Sequence, residues 1–181
     1  MSALFDVLYW VAIGIGCLAG VLALIALIGC FFPRGHVATR SLEINQPPDE
    51  VWQIITDFAA APSWHPELKT AERLPDRNGN PLWRETDKRG YAMTLETVQA
   101  VPPRRLVRCI ADEGGPFSGQ WEFDIEPTDA GSRVTLTEKG QIPNPFFRFM
   151  FRLFMKPTWY LDMYLRALAV KMGRGDEVVL E

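Results

Sequence analysis

The chain has 181 residues, a formal net charge of −3 and three cysteines, a length that suits one domain plus a small extra element. Near-neutral charge with scattered basic residues excludes an electrostatic footprint for nucleic acid. Cys17, Cys30 and Cys109 form neither a disulfide framework nor a metal-ligand spacing.

The charge is unevenly distributed. Residues 1–32 carry no Lys or Arg and a single acid, Asp6. Val7–Phe32 is an uncharged run that would be about 39 Å long as a helix, at about 1.5 Å per residue. The hydrocarbon core of a bilayer needs about 20 such residues. The reading is a transmembrane anchor over 1–33, followed by a globular domain over 34–181. A cleaved signal peptide would want a basic start and a shorter apolar stretch. Leu27-Ile28-Gly29-Cys30 is similar to a lipobox, but the same missing basic start argues against lipidation. Arg34 and Arg40 follow the run and no basic residue precedes it, so the positive-inside rule predicts an outer N-terminus and a cytoplasmic domain at the inner membrane. Gly16 and Gly20 form a Gly-x-x-x-Gly pair that would let two spans pack as a homodimer.

Pro33 and Gly35 end the span. Val37–Asn45 reads as a strand. Pro47-Pro48-Asp49-Glu50 then opens a helix, with proline suited to the first turn and acids to its positive end. Val51, Ile54, Ile55 and Phe58 make its apolar stripe. The stretch "AAAPSWHP" breaks it into a second short turn. From Leu68 to Gly140 the pattern is about six strands separated by turns, including an Asn-Gly hairpin signal within Asp76–Asn80. Trp121, Phe123 and Ile125 share one strand face with Phe117. Tyr91, Met93 and Leu95 share another. After Gly140 the chain is predicted helical to about Gly173, with Pro157 kinking or splitting the segment. A bent antiparallel sheet wrapped around one long helix satisfies this order, and the lack of strand–helix alternation argues against a parallel sheet.

Ile44–Pro66 ("INQPPDEVWQIITDFAAAPSWHP"), Gly119–Gly140 ("GQWEFDIEPTDAGSRVTLTEKG") and the C-terminal helix together resemble the START-like, helix-grip domain of the SRPBCC superfamily, near its polyketide cyclase/dehydrase branch. The resemblance covers about residues 37–173. It implies an α+β helix-grip fold, a curved antiparallel sheet of about seven strands around a long C-terminal helix. It also implies a deep apolar cavity between the two. Members bind lipids, sterols, polyketides, hormones or quinones, and a minority catalyse reactions. The transmembrane helix lies outside the family pattern.

With that fold, the expected cavity lining is Trp64, His65, Trp83, Tyr91, Met93, Leu95, Cys109, Trp121, Phe123, Phe147 and Phe151. Pockets for small ligands are mostly apolar with a few placed polar groups. The rival reading of the same aromatics is a filled core. No nucleophile elbow, phosphate loop or dinucleotide fingerprint is present, so no catalytic residue and no cofactor is assigned. His65 beside Glu67 is not a metal site, because several convergent ligands are needed. Glu85, Glu96 and Glu138 sit on strands, where carboxylates facing the cavity could act as acid and base; the preferred reading is solvated, salt-linked faces.

Asn144–Pro157 ("NPFFRFMFRLFMKP") concentrates large apolar side chains around Arg148, Arg152 and Lys156, which are spaced four apart. These three, with Phe149, are expected at the membrane interface, where burial would dominate and the cations would face the headgroups. The first functional expectation is a membrane-tethered module that binds or transfers a hydrophobic small molecule such as a lipid, quinone or polyketide-like compound. The alternatives are a cyclase, aromatase or dehydratase acting in the same cavity, and a non-catalytic membrane assembly factor.

Overall fold

The structure, a computed structural model, describes residues 2–112 and 114–173, with side chains from Phe5 onward. The chain forms two compact units. One joins the described residues of Met1–Arg34 to Ile142–Lys156. The other joins Gly35–Gln141 to the described residues of Pro157–Glu181.

The larger unit is an antiparallel sheet of seven strands with three helical elements. In chain order these are β1 (Gly35–Ile44), α2 (Pro48–Thr56), a 3-10 turn (Ala61–Ser63), β2 (Leu68–Arg77), β3 (Asn80–Asp87), β4 (Ala92–Val101), β5 (Arg105–Ile110), β6 (Ser118–Thr128), β7 (Gly131–Gln141) and α4 (Trp159–Lys171). The strand order is β1-β7-β6-β5-β4-β3-β2. The first strand therefore returns to pair with the last, Gly35 opposite Gln141 through Ile44 opposite Ser132. This is the α+β helix-grip architecture. Asn78 and Gly79 join β2 to β3 with φ of 52° and 83°, the left-handed backbone that a two-residue hairpin turn requires.

Alternation along the strands builds the core. Leu42 and Ile44 of β1, Phe123 and Ile125 of β6, and Val134 and Leu136 of β7 are buried on one face. Val51 and Ile55 of α2 and Leu161, Leu165 and Leu168 of α4 pack onto them. Burying the three α4 leucines contributes roughly 5–9 kcal/mol as an upper bound. The start of α4 is pinned to β1. Arg40 Nε donates to Asp162 Oδ1 at 2.8 Å, and Thr158 Oγ1 donates to Asp162 Oδ2 at 3.1 Å.

The other sheet face is not uniformly solvated. Glu122 of β6 is buried there, held by Lys139, by Arg105 Nη2 at 2.7 Å and by Gln120 Nε2 at 2.6 Å. Burial alone would raise its pKa, but these three donors outweigh it and hold the carboxyl at about 2.

The smaller unit contains α1 (Ser2–Cys30) and α3 (Pro145–Phe154). The segment Phe5–Cys30 is long and apolar enough to cross a membrane, and its apolar window is not buried within the chain. Asn144 Oδ1 accepts the Phe146 N–H at 2.9 Å, and Pro145 occupies the first turn, so α3 starts at a well-formed cap. The two helices meet closely. A Cβ on Gly29 would lie 1.9 Å from the Pro145 carbonyl oxygen. Phe149 stacks on Phe32 with ring centroids 6.4 Å apart.

The predicted C-terminal helix is thus two helices in different units. The residue before a proline is pushed out of the helical region, and proline cannot donate to the helix. The chain is already extended at Met155, ahead of Pro157. α4 packs against the sheet.

Candidate functional site

The site lies on the core face of the sheet unit, where β3, β4, β5 and β6 meet the 3-10 turn and the first half of α4. The turn is set by Pro62, by Asp57 Oδ1 accepting the Ala60 N–H at 3.1 Å, and by the His65 N–H donating to the Ala61 carbonyl at 2.8 Å. It presents Trp64 and His65 together. Tyr160 and Tyr164, one helical turn apart on α4, face them. Ring centroids lie 5.3 Å apart for Trp64 and Tyr164, 5.5 Å for His65 and Tyr164, 5.5 Å for Trp121 and Tyr160, and 5.3 Å for Phe123 and Tyr164.

Within these aromatics is a charge. Arg108 of β5 is 8% exposed. Its Nη1 donates to Glu85 Oε1 of β3 at 2.6 Å, and its guanidinium carbon lies 3.9 Å from the Phe58 ring centre. Nε and Nη2 are buried with no hydrogen-bond partner in the protein. A buried donor left unpaired costs about 1–3 kcal/mol, more when charged. His65 Nδ1 is likewise buried and unpartnered, while His65 Nε2 is 3.4 Å from the Tyr160 hydroxyl. Burial lowers the His65 pKa, against smaller opposing effects of Glu85 and Glu67, so the imidazole is neutral at physiological pH. Burial raises both tyrosine hydroxyls, so they remain protonated donors.

Two spaces that share part of their lining open here. The inner hollow, bordered by Arg108, Glu85, Phe58, Phe123 and Tyr164, has a volume of about 30 Å³, room for about one water. The outer basin, about 230 Å³, is bordered by Tyr91, Met93, Trp159, Glu67, Asp87 and Arg89. His65, Glu85, Leu95, Trp121 and Tyr160 line both. Asp87 Oδ1 accepts the Arg89 and Tyr91 N–H groups at 2.9 and 2.8 Å, which shapes the basin rim. The space is smaller than the deep cavity that the resemblance implies, because Trp64, Trp121, Tyr160 and Tyr164 fill much of it. Among the described residues, no cluster of His, Cys, Asp and Glu could hold a metal.

The residues named from the sequence fall in several places. Trp64, His65, Leu95, Trp121 and Phe123 border the inner hollow, and Tyr91 and Met93 border the basin. Trp83 is not in either lining. It packs edge-to-face with Phe58, ring centroids 5.6 Å apart, and Arg73 lies over its ring. Cys109 is on the opposite sheet face, its Sγ 3.6 Å from Gln120 Oε1, because strand alternation turns Arg108 inward and Cys109 outward. Phe147 and Phe151 belong to α3 and border neither space.

Arg152 and Lys156 are exposed, but Arg148 does not join them in a polar stripe. Arg148 is buried in the smaller unit, donating from Nη1 to the Phe32 carbonyl at 2.8 Å and from Nη2 to the Pro143 carbonyl at 3.4 Å. Carbonyls past the end of α1 lack helical partners and attract it. Phe149 packs on Phe32 beside it.

Arg108, Tyr160 and Tyr164 are absent from the sequence-derived lining. Arg108 has a readable signal. In β5 it shares its parity with Leu106 and pairs with the inward Trp121.

A family model described as polyketide cyclase/dehydrase and lipid transport matches residues 35–169. The chain belongs to this family. Solved structures show the same fold at low identity. A START superfamily protein from Mycobacterium smegmatis aligns with TM-score 0.57 and 18% identity, over 76% of this chain and 97% of that one. Zhui aromatase/cyclase from Streptomyces sp. R1128 aligns with TM-score 0.60 and 15% identity, over 77% and 93%. A protein from Mesorhizobium loti gives TM-score 0.59 and 15% identity, over 78% and 99%. No protein of curated function matches the chain. The family match takes in the sheet and α4; α1 lies outside the matched residues.

Proposed function

We propose that this family member is a membrane-anchored module that binds a small, mostly apolar molecule carrying a carbonyl or carboxylate oxygen. The carrying observation is Arg108, a buried cation with two unpartnered donor nitrogens in an aromatic-walled hollow. Guanidinium donors pair with oxygen acceptors, and in low dielectric such a bond is strengthened. The basin, about 230 Å³, is smaller than ordinary ligand pockets, which run about 300–1,000 Å³. It therefore takes a compact molecule, or the oxygen-bearing end of a longer lipid, quinone or polyketide-like chain whose remainder leaves through the mouth.

The anchor reading rests on the apolar helix Phe5–Cys30 and on the Arg34 and Arg40 that follow it. It gives a single-pass protein of the inner membrane with an outer N-terminus and a cytoplasmic sheet unit. Residues 31–34 join α1 directly to β1, and tethering a binding unit to the membrane that dissolves such ligands raises their effective concentration.

The second reading is a cyclase or dehydratase reaction in the same space. The His65 and Tyr160 pair favours it, since a neutral imidazole and a phenol can relay a proton next to a carbonyl polarised by Arg108. Aromatase/cyclase activity is named for one protein that shares this fold.

The test is native mass spectrometry of gently extracted full-length protein, with identification of any retained molecule. The identified compound is then titrated against wild type, Arg108→Met and Tyr160→Phe. Loss of binding in Arg108→Met supports the module. Unchanged affinity in that variant refutes it. Turnover that disappears in Tyr160→Phe while binding survives selects the enzyme.

A further inference from the structure

We infer that α3 is a second membrane element, an interfacial helix seated in the anionic headgroup layer beside the end of α1. The inference rests on the anchor reading above and adds a partner surface to it. Apolar length sets the depth. Phe5–Cys30 would extend about 39 Å as a helix, against a hydrocarbon core of about 30 Å. About 9 Å, or roughly six residues, is surplus. Placed at the C-terminal end of α1, that surplus coincides with the contact to α3. Near that end of α1, Ile25, Ala26 and Gly29 lose exposure, and Phe32 follows them. Gly29 meets Pro145 and Phe32 meets Phe149 there.

The inner side of α3 is thereby accounted for by Pro145, Arg148 and Phe149. Its C-terminal end is different. Leu153, Phe154 and Met155 are exposed, Phe154 by 73%, beside exposed Arg152 and Lys156. Large apolar side chains flanked by cations fit one surface chemistry, the boundary between acyl chains and anionic headgroups. Continuity with α1 selects that occupant over a second protein. Whatever layer holds the last turns of α1 also holds α3. Arg148 completes the arrangement. It satisfies the Phe32 carbonyl, two residues past the end of α1, from within the protein.

The experiment uses the full chain with Cys17, Cys30 and Cys109 replaced by Ala, reconstituted in phosphatidylcholine bilayers with or without phosphatidylglycerol. Nitroxide labels are placed singly at Phe154→Cys, Leu153→Cys, Leu18→Cys and Lys69→Cys. Accessibility to oxygen and to an aqueous nickel chelate is compared. We expect Leu18 in lipid and Lys69 in water. Sites 153 and 154 should be several-fold less accessible to nickel than Lys69, and deeper when phosphatidylglycerol is present. Arg152→Gln should remove that lipid dependence. If 153 and 154 match Lys69 while Leu18 is in lipid, this inference alone is overturned. If Leu18 also matches Lys69, the anchor reading falls and takes the inference with it.

Discussion

The guanidinium carbon of Arg108 lies 3.9 Å from the centre of the Phe58 ring. A desolvated cation over an aromatic face gains up to about 2 kcal/mol. With the Glu85 ion pair this keeps a charge in the interior while two of its nitrogens have no protein partner. Arg108→Met is expected to destabilise the sheet unit by roughly 3–5 kcal/mol, because Glu85 is left uncompensated. The double variant Arg108→Met with Glu85→Leu should regain most of that stability and none of the ligand affinity. Denaturant melts and ligand titration read the two effects separately. A double variant that binds like wild type would remove Arg108 from the site.

His65 gives a stability change on the acid side of neutrality. Burial first, against Glu85, holds its folded pKa below 6.5, while the unfolded chain titrates near 6.5. The unfolded state therefore binds the proton first. The stabilising contribution is complete above about pH 6.5 and is lost as pH falls towards the folded value. His65→Gln should flatten this limb. Melting curves across that interval, wild type against variant, are the check, and identical slopes would contradict the assignment.

Glu122 acts lower on the pH scale. Its carboxyl sits at about 2 in the folded protein against an ordinary 4.5. The stability it supplies is present above about pH 4.5 and disappears as pH falls through about 2. Glu122→Gln should lose stability at neutral pH, since Arg105 and Lys139 lose their buried partner, and should show a shallower decline in that acid window. Urea midpoints measured at several pH values decide it.

Gly29→Val is expected to shift α3 away from α1. The new Cβ would meet the Pro145 carbonyl, and backbone rather than a side-chain tip must move. Overpacking of this kind costs roughly 1–3 kcal/mol. Gly16→Val is the control, because a Cβ there has nothing within 4 Å. Spin-label distances between Leu22 and Arg152 should broaden in the first variant and stay narrow in the second.

Much of the fold is legible because local rules agree with one another. The Asn-Gly turn at 78–79, the proline-opened α2 and the alternation of Trp121, Phe123 and Ile125 each follow from short-range sterics and burial. The shared parity of Tyr91, Met93 and Leu95 also follows from strand period. The site is less legible. A charged residue inside a sheet looks like an outward one until its neighbour's direction is known, so the sequence points to Cys109 where Arg108 faces inward. The tyrosines of α4 are hidden when 140–173 is read as one helix. Only the break at Pro157 shows that 160 and 164 belong to a separate rod. Arg148 has the spacing of a surface stripe, and nothing in spacing alone reveals the Phe32 carbonyl that draws it inward.

The chain enters the sheet unit at Gly35, leaves it after Gln141 and re-enters at Pro157, with α3 as the excursion between. Deleting the oily head, the usual route to a soluble fragment, would therefore orphan the excursion. Pro145, Arg148 and Phe149 would face water in place of Gly29 and Phe32, and the fragment would be stickier than the parent. A well-behaved soluble version needs both excisions, the first 34 residues and the loop 142–156, with a short polar bridge rejoining β7 to α4.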